Sequence, residues 1–287
     1  MGIKFDELKL QRGYDYPYMQ VKFKHPKLQE IVDLKNGYYE YRSMVESFTT
    51  SIIDIADILW CEAKIWYEDI KSDWFFFVQQ QILFNNKKTI RIKLDGEDFE
   101  TEGIFLSKNA TKALNYFLGL KGEYVFIIKQ IENTEEKQII INHCKQDETG
   151  KLYTDDDSLK FTETHYNEFK NFLRTINWEK EDKEIDFQNG GTRKAKEYML
   201  RQKYKKRKKN KKGDINFSSI ISSLIAKGIN YEDIWKLPIY EIYELYYRFN
   251  KIVSYENTAN AFYTGNIDTK KATINWSEID WSAIIKI

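Results

Sequence analysis

Cysteine, proline, glycine and histidine are all scarce in this chain, and each scarcity excludes something. Two cysteines, Cys61 and Cys144, cannot build a metal framework or a disulfide scaffold, and they read as reduced thiols of an intracellular protein. Three prolines and 13 glycines argue against a loop-rich or disordered chain. No run of 18 apolar residues is present, so no membrane-spanning helix is expected. The first 22 residues are charged and lack an apolar stretch, which gives no sign of a secretory leader and places the expected site of synthesis and use in the cytoplasm. Only His25, His143 and His165 could titrate as imidazoles, which limits acid–base chemistry near neutral pH.

What is abundant is ring and charge. Aromatic residues make up 16% of the 287 positions, enough for broad contact area in cores and protein interfaces alike. A net charge of +1 hides a strong asymmetry. Between Arg193 and Lys212 lie 12 Lys or Arg and one acid, Glu197; subtracting that +11 from the chain's +1 leaves −10 on the rest.

Hydrophobic spacing divides the chain into four stretches. Residues 1–88 read as mainly helical, with an alternating strand over Tyr18–Lys24 and Pro26 opening a short helix through Leu28 and Ile31. Thr49-Thr50-Ser51 reads as the cap of a further helix through Ile52 to Leu59, and Asp69–Asn85 as a buried helix. Residues 89–191 switch to period two. Thr89–Leu94 alternates strictly and turns at Asp95-Gly96, Phe99–Phe105 returns, and Tyr124–Ile128 and Gln138–Ile141 form a second pair of strands. Lys108–Leu118 is a helix closed by Gly119, Lys151–Leu159 an acidic loop, and Thr162-Glu163-Thr164 caps a helix through Ile176. Residues 192–213 predict a long basic linker helix, polar all round, and residues 214–287 a small all-α module that folds as a unit. The fold class is thus α+β, with a mixed helical and small antiparallel-sheet N-terminal region.

Candidate chemistry is thin. His143 and Cys144 are adjacent, but on a strand neighbouring side chains point to opposite faces and cannot act together. His25 reads as a turn residue, and His165 lies among Glu163, Tyr166 and Glu168 on a helix face. Asp155-Asp156-Asp157 lacks the alternating ligands and distal glutamate of a calcium loop, and Gly190-Gly191-Thr192-Arg193 lacks the first glycine and the Lys-Ser/Thr pair of a phosphate loop. No catalytic, cofactor-binding or metal-binding residue is assigned, and the chain is not expected to be an enzyme.

The remaining signals concern binding. The basic segment, centred on Lys205, Lys206, Arg207, Lys208 and Lys209, reads as a docking strip for an acidic surface, on a partner or another copy of this chain; the alternative is a sequence-blind nucleic-acid contact using residues 193–212. Near the C-terminus Ile239, Ile242, Tyr243, Tyr246 and Phe249 recur at helical steps and predict a core-facing stripe. Tyr240, Tyr247, Trp276 and Trp281 lie off it, and a module of that size has limited volume for so many rings, so these four are the expected partner-binding residues.

Three stretches resemble tail-gene proteins of Gram-positive phages. Val21–Ile31, with His25-Pro26, followed by Tyr38–Tyr41 and Thr49-Thr50, resembles their strand-to-helix entry, with Lys27 where Thr is usual. Phe169, Phe172, Ile176 and Asn177 are similar to the helix that leads into their charged helix. Leu237–Leu245, preceded by Gly228–Ile234 and followed by Ile279-Asp280-Trp281, resembles a helix of phage tail assembly proteins, with Pro238 in place of Thr. The resemblance implies a tail or baseplate assembly protein, chaperone-like or a virion component, that works by protein–protein binding without a cofactor. The implied partners are other tail or baseplate proteins, and the implied location is the host cytoplasm during assembly or the particle itself.

Overall fold

A computed structural model of the chain describes residues 5–18, 21–94, 97–130, 137–179, 193–209 and 216–264. The class is α+β, as the spacing predicts. The N-terminal part runs α1 (Glu7–Gln11), β1 (Tyr16–Tyr18), β2 (Val21–Phe23), α2 (Leu28–Val32), α3 (Gly37–Thr49), α4 (Ala56–Ile58) and α5 (Asp73–Leu83). The sheet region follows with β3 (Lys87–Leu94), β4 (Glu97–Ile104), α6 (Lys108–Leu118), β5 (Glu123–Gln130), β6 (Lys137–Gln146), β7 (Leu152–Asp155), β8 (Lys160–Phe161) and α7 (Glu163–Ile176). The last helices are α8 (Arg193–Lys209), α9 (Phe217–Ala226), α10 (Tyr231–Ile234) and α11 (Ile239–Tyr263).

The two central helices follow their apolar spacing. α3 buries Tyr41, Met44, Val45 and Phe48, and α7 buries Tyr166, Phe169, Phe172, Leu173 and Ile176, so each presents one apolar side to the other. α7 starts at Thr162, whose backbone N–H reaches His165 Nδ1 at 3.0 Å; this imidazole takes the place that Glu usually fills in a capping pair. Sheet order is β4-β3-β7-β6-β5, antiparallel except for the parallel β3–β7 pair, and β8 adds to β6. A further bridge from Phe105 to Val125 links the end of β4 to β5, curling the sheet around Ile90, Phe105, Val125, Ile127 and Cys144. Gly103 makes that curl possible, because a Cβ there would sit 2.7 Å from Val125 Cγ2.

Three expectations need correction. Thr49 ends α3 and does not cap the next helix; residues 56–58 form a single α turn, followed by a π turn at Leu59–Ala63. Apolar residues on every side of that stretch give no amphipathic face to stabilise a longer helix. Pro26 precedes α2 rather than opening it: Lys27 is the cap, and Glu30 accepts its N–H at 2.9 Å. The acidic loop contains β7, too short and too acidic to show as a strand, and held by β3 and β6 on either side.

The C-terminal helices are all-α as expected, but they do not own a core. Phe217, Ile220, Leu224, Ile234, Ile239, Tyr240, Ile242 and Tyr243 belong to the same buried cluster as α3, α6 and α7. Tyr38 of α3 stacks on Phe217 at 4.1 Å, and its hydroxyl meets that of Tyr243 at 2.8 Å. Backbone bonds cross the seam as well. Leu28 N–H donates to Leu237 O, Gln29 N–H to Trp235 O, and Ile239 N–H to Pro26 O.

Candidate functional site

Basic helix α8 is held on the molecule by one of its sides. Arg193, Lys196, Leu200, Lys203 and Arg207 recur at steps of three and four, so they share a stripe. That stripe faces the acidic ledge formed by the turn before α4, by α4 itself and by the segment after it. Arg207 grips Asp57 with two bonds of 3.0 Å, and Asp57 is fully buried. Lys196 pairs with Glu68, Tyr204 donates to Glu62, and Lys203 donates to Ile53 O at 3.2 Å. The Arg193 guanidinium lies 4.6 Å over the Trp66 ring, and Leu200, fully buried, packs with Ile52, Ala56, Trp66 and Tyr67. A cluster of Lys and Arg suits the C-terminal half of a helix, where the macrodipole is negative.

For the inward side of the helix the acidic surface is this chain's own and not that of a partner or another copy. Arg207 faces in, while Lys205, Lys206 and Lys208 are exposed. Lys209 closes the helix. Sequence reasoning missed Asp57, Glu62 and Glu68 as the counterpart. The signal was available in the −10 charge outside the basic segment and in the repeating inward stripe.

Replacing Arg207 with Gln should leave Asp57 buried without its bidentate partner. A buried pair broken on one side costs several kcal/mol, but Arg207 is 40% exposed, so about 2 kcal/mol is expected. Hydrogen exchange across residues 193–209 should speed up in Arg207→Gln and stay unchanged in Lys205→Gln. Equal protection in both variants would mean that the ledge does not hold the helix.

The four ring residues expected to bind partners have different fates. Tyr240 is 2% exposed, a correction to its expected surface role. It packs against Trp178 at 5.5 Å because α11 starts wedged among α9, α1 and α7, which buries the off-stripe side as well. The surplus rings of the C-terminal helices are covered by the N-terminal region. Tyr247 is 43% exposed and stacks on Trp178 at 5.2 Å. Trp276 and Trp281 lie outside the described residues.

The fully buried residues of α11 end at Glu244. Leu245, Tyr246 and Phe249 still pack partly buried against the core, and Tyr247, Tyr255, Phe262 and Tyr263 are exposed. Tyr247, Tyr255 and Phe262 lie eight and seven residues apart, on one side of the helix. An open depression of about 550 Å³ also lies at the seam of α2 and α10, walled by Lys27, Glu30, Tyr231, Trp235 and Lys236.

The catalytic candidates do not assemble. His143 and Cys144 sit on β6 facing opposite sides: the imidazole contacts Lys121 O at 3.1 Å, and the thiol is buried, its pKa pushed up to about 12 by burial. Asp155 is bonded to Lys145 and Ser158, and Asp156 pairs with Lys160. Among the described residues no group of His, Cys, Asp and Glu could hold a metal ion, and no helix is long and apolar enough to cross a membrane.

Residues 206–286 match the family of the YomV second domain. The match begins within α8 and takes in α9, α10 and α11. The family's name is phage-associated, and the match is consistent with a phage protein. No curated protein and no solved structure matches the chain.

Proposed function

We propose that the chain is a non-enzymatic adaptor in phage tail or baseplate assembly, and that it grips a partner protein with the outer half of α11. The observation that carries this reading is the division of that helix. Its first turns are clamped in the core, Tyr247 stacks on Trp178 at the core's edge, and the last turns carry Tyr255 and Phe262, each more than a third exposed, on that same side. A ring on a helix fixed at its root loses little freedom on binding, and Tyr is a common anchor of protein interfaces. The phage-associated match over this same stretch, and the resemblance of Leu237–Leu245 to a tail assembly helix, support tail or baseplate proteins as the partners. Tyr240 serves this role by rooting the helix, and the expected contribution of Trp276 and Trp281 stands as part of the proposal.

The test is a binding measurement with the purified tail and baseplate proteins of the same phage. One of them should form a complex of defined stoichiometry with the full chain. Changing Tyr255 and Phe262 together to Ala should weaken it by about 1–4 kcal/mol while the thermal midpoint of the free chain hardly moves. A loss of stability equal to the loss of binding would make these rings packing residues and place the interface elsewhere.

A further inference from the structure

The side of α8 turned away from the ledge carries a second stripe. Lys194, Tyr198, Arg201, Lys205 and Lys208 follow one another at steps of four, three, four and three, so they line one side of the helix over about 21 Å. All five are exposed, Tyr198 by 63%. Lys194, Arg201 and Lys205 have no acidic partner among the described residues, while Lys208 lies 4.5 Å over the Tyr204 ring. Glu197, the one acid of the helix, flanks this stripe, and Lys206 adds a fifth cation beside it. The inward cations are matched by Asp57, Glu68 and backbone carbonyls; the outward ones are not.

We propose that this outward stripe is a nucleic-acid contact that holds the phosphate backbone without reading sequence. Composition favours phosphate over an acidic protein. The centre of a protein interface is depleted of charge and built on apolar and aromatic groups. Here the centre is cationic from end to end, with one ring and no aliphatic side chain. The stripe's length spans about six base pairs of one strand at 3.4 Å each. Tyr198 supplies a phenol that donates to a phosphate, or a face on which an unpaired base stacks. The inward latch contributes too, because a helix already fixed on the ledge presents its cations without further ordering.

Anisotropy of the full chain with a labelled DNA duplex of about 30 base pairs, in arbitrary sequence, tests this. Four phosphate contacts give a log–log salt slope between −3 and −4, so affinity should fall about 100-fold from 50 to 200 mM salt. Changing Lys194, Arg201, Lys205 and Lys208 together to Gln keeps good helix formers in place and touches no acidic partner. That variant should bind at least about tenfold more weakly at 50 mM and lose most of the slope. A charge-matched control, with Lys22, Lys71, Lys121 and Lys227 changed to Gln, should behave like the wild type. The proposal is overturned if the wild-type chain shows no salt-dependent binding, or if the control loses as much as the stripe variant. It is also overturned if polyglutamate displaces the duplex at equal charge concentration, which would assign the stripe to an acidic protein.

Discussion

A chain ending at residue 213 should fail to fold cooperatively. Eight buried apolar side chains, from Phe217 to Tyr243, would be removed from a core they share with α3, α6 and α7. At about 1.5–3 kcal/mol for each buried side chain, that removes about 12–24 kcal/mol of burial, against a net stability of about 5–15 kcal/mol for a typical domain. Tyr38 and Tyr41 would also face solvent in part, and three backbone bonds across the seam would be lost. Near-ultraviolet dichroism and urea unfolding of the fragment should show no cooperative transition. The sequence alone predicts the opposite, a soluble N-terminal region separable from a C-terminal module. A cooperative transition in the fragment, at a midpoint near that of the full chain, would restore that division.

Acid should destabilise the protein through His25. Its side chain is 3% exposed, and neither ring nitrogen has a hydrogen-bond partner among the described residues. Burial lowers its pKa to about 4 from an ordinary 6.5. The folded state therefore keeps the ring neutral where the unfolded chain takes up a proton. This stability is fully present above pH 6.5, falls as pH drops from 6.5 towards 4, and is flat below. A gap of this size corresponds to about 3 kcal/mol. His143 and His165 are lowered by burial in the same direction, so they add to the trend. Urea unfolding between pH 7 and 4.5 should show a shallower fall in stability for His25→Phe than for the wild type. Comparing slopes separates the proton effect from any packing cost of the new ring. Equal slopes would mean that His25 takes up its proton in the folded state without penalty.

How much of this was legible in the sequence depends on how local its cause is. The hairpin pairs β3–β4 and β5–β6 were legible because strand alternation is a property of neighbouring residues; the expected turn at Asp95-Gly96 lies outside the described residues. The helices α6 and α7 were legible through their apolar steps and their stops or caps. β7 was not, because four residues beside an acidic turn form a strand only when β3 and β6 already flank them. Tyr240 was misplaced for the same reason: the spacing shows which side of α11 is apolar, but not that α1 and α7 cover the other side. The latch of α8 needed both halves of a long-range charge match, Arg207 to Asp57 across 150 positions.

A role in tail or baseplate assembly can be tested in the phage itself. The coding sequence would be interrupted by an early stop codon, with the full chain supplied in trans as a control. Particles would then be viewed by negative-stain electron microscopy. Filled or empty heads with absent or incomplete tails are expected, with normal tails when the wild-type chain is supplied and weaker rescue by the Tyr255→Ala, Phe262→Ala chain. Complete, infective particles made without the chain would contradict that role.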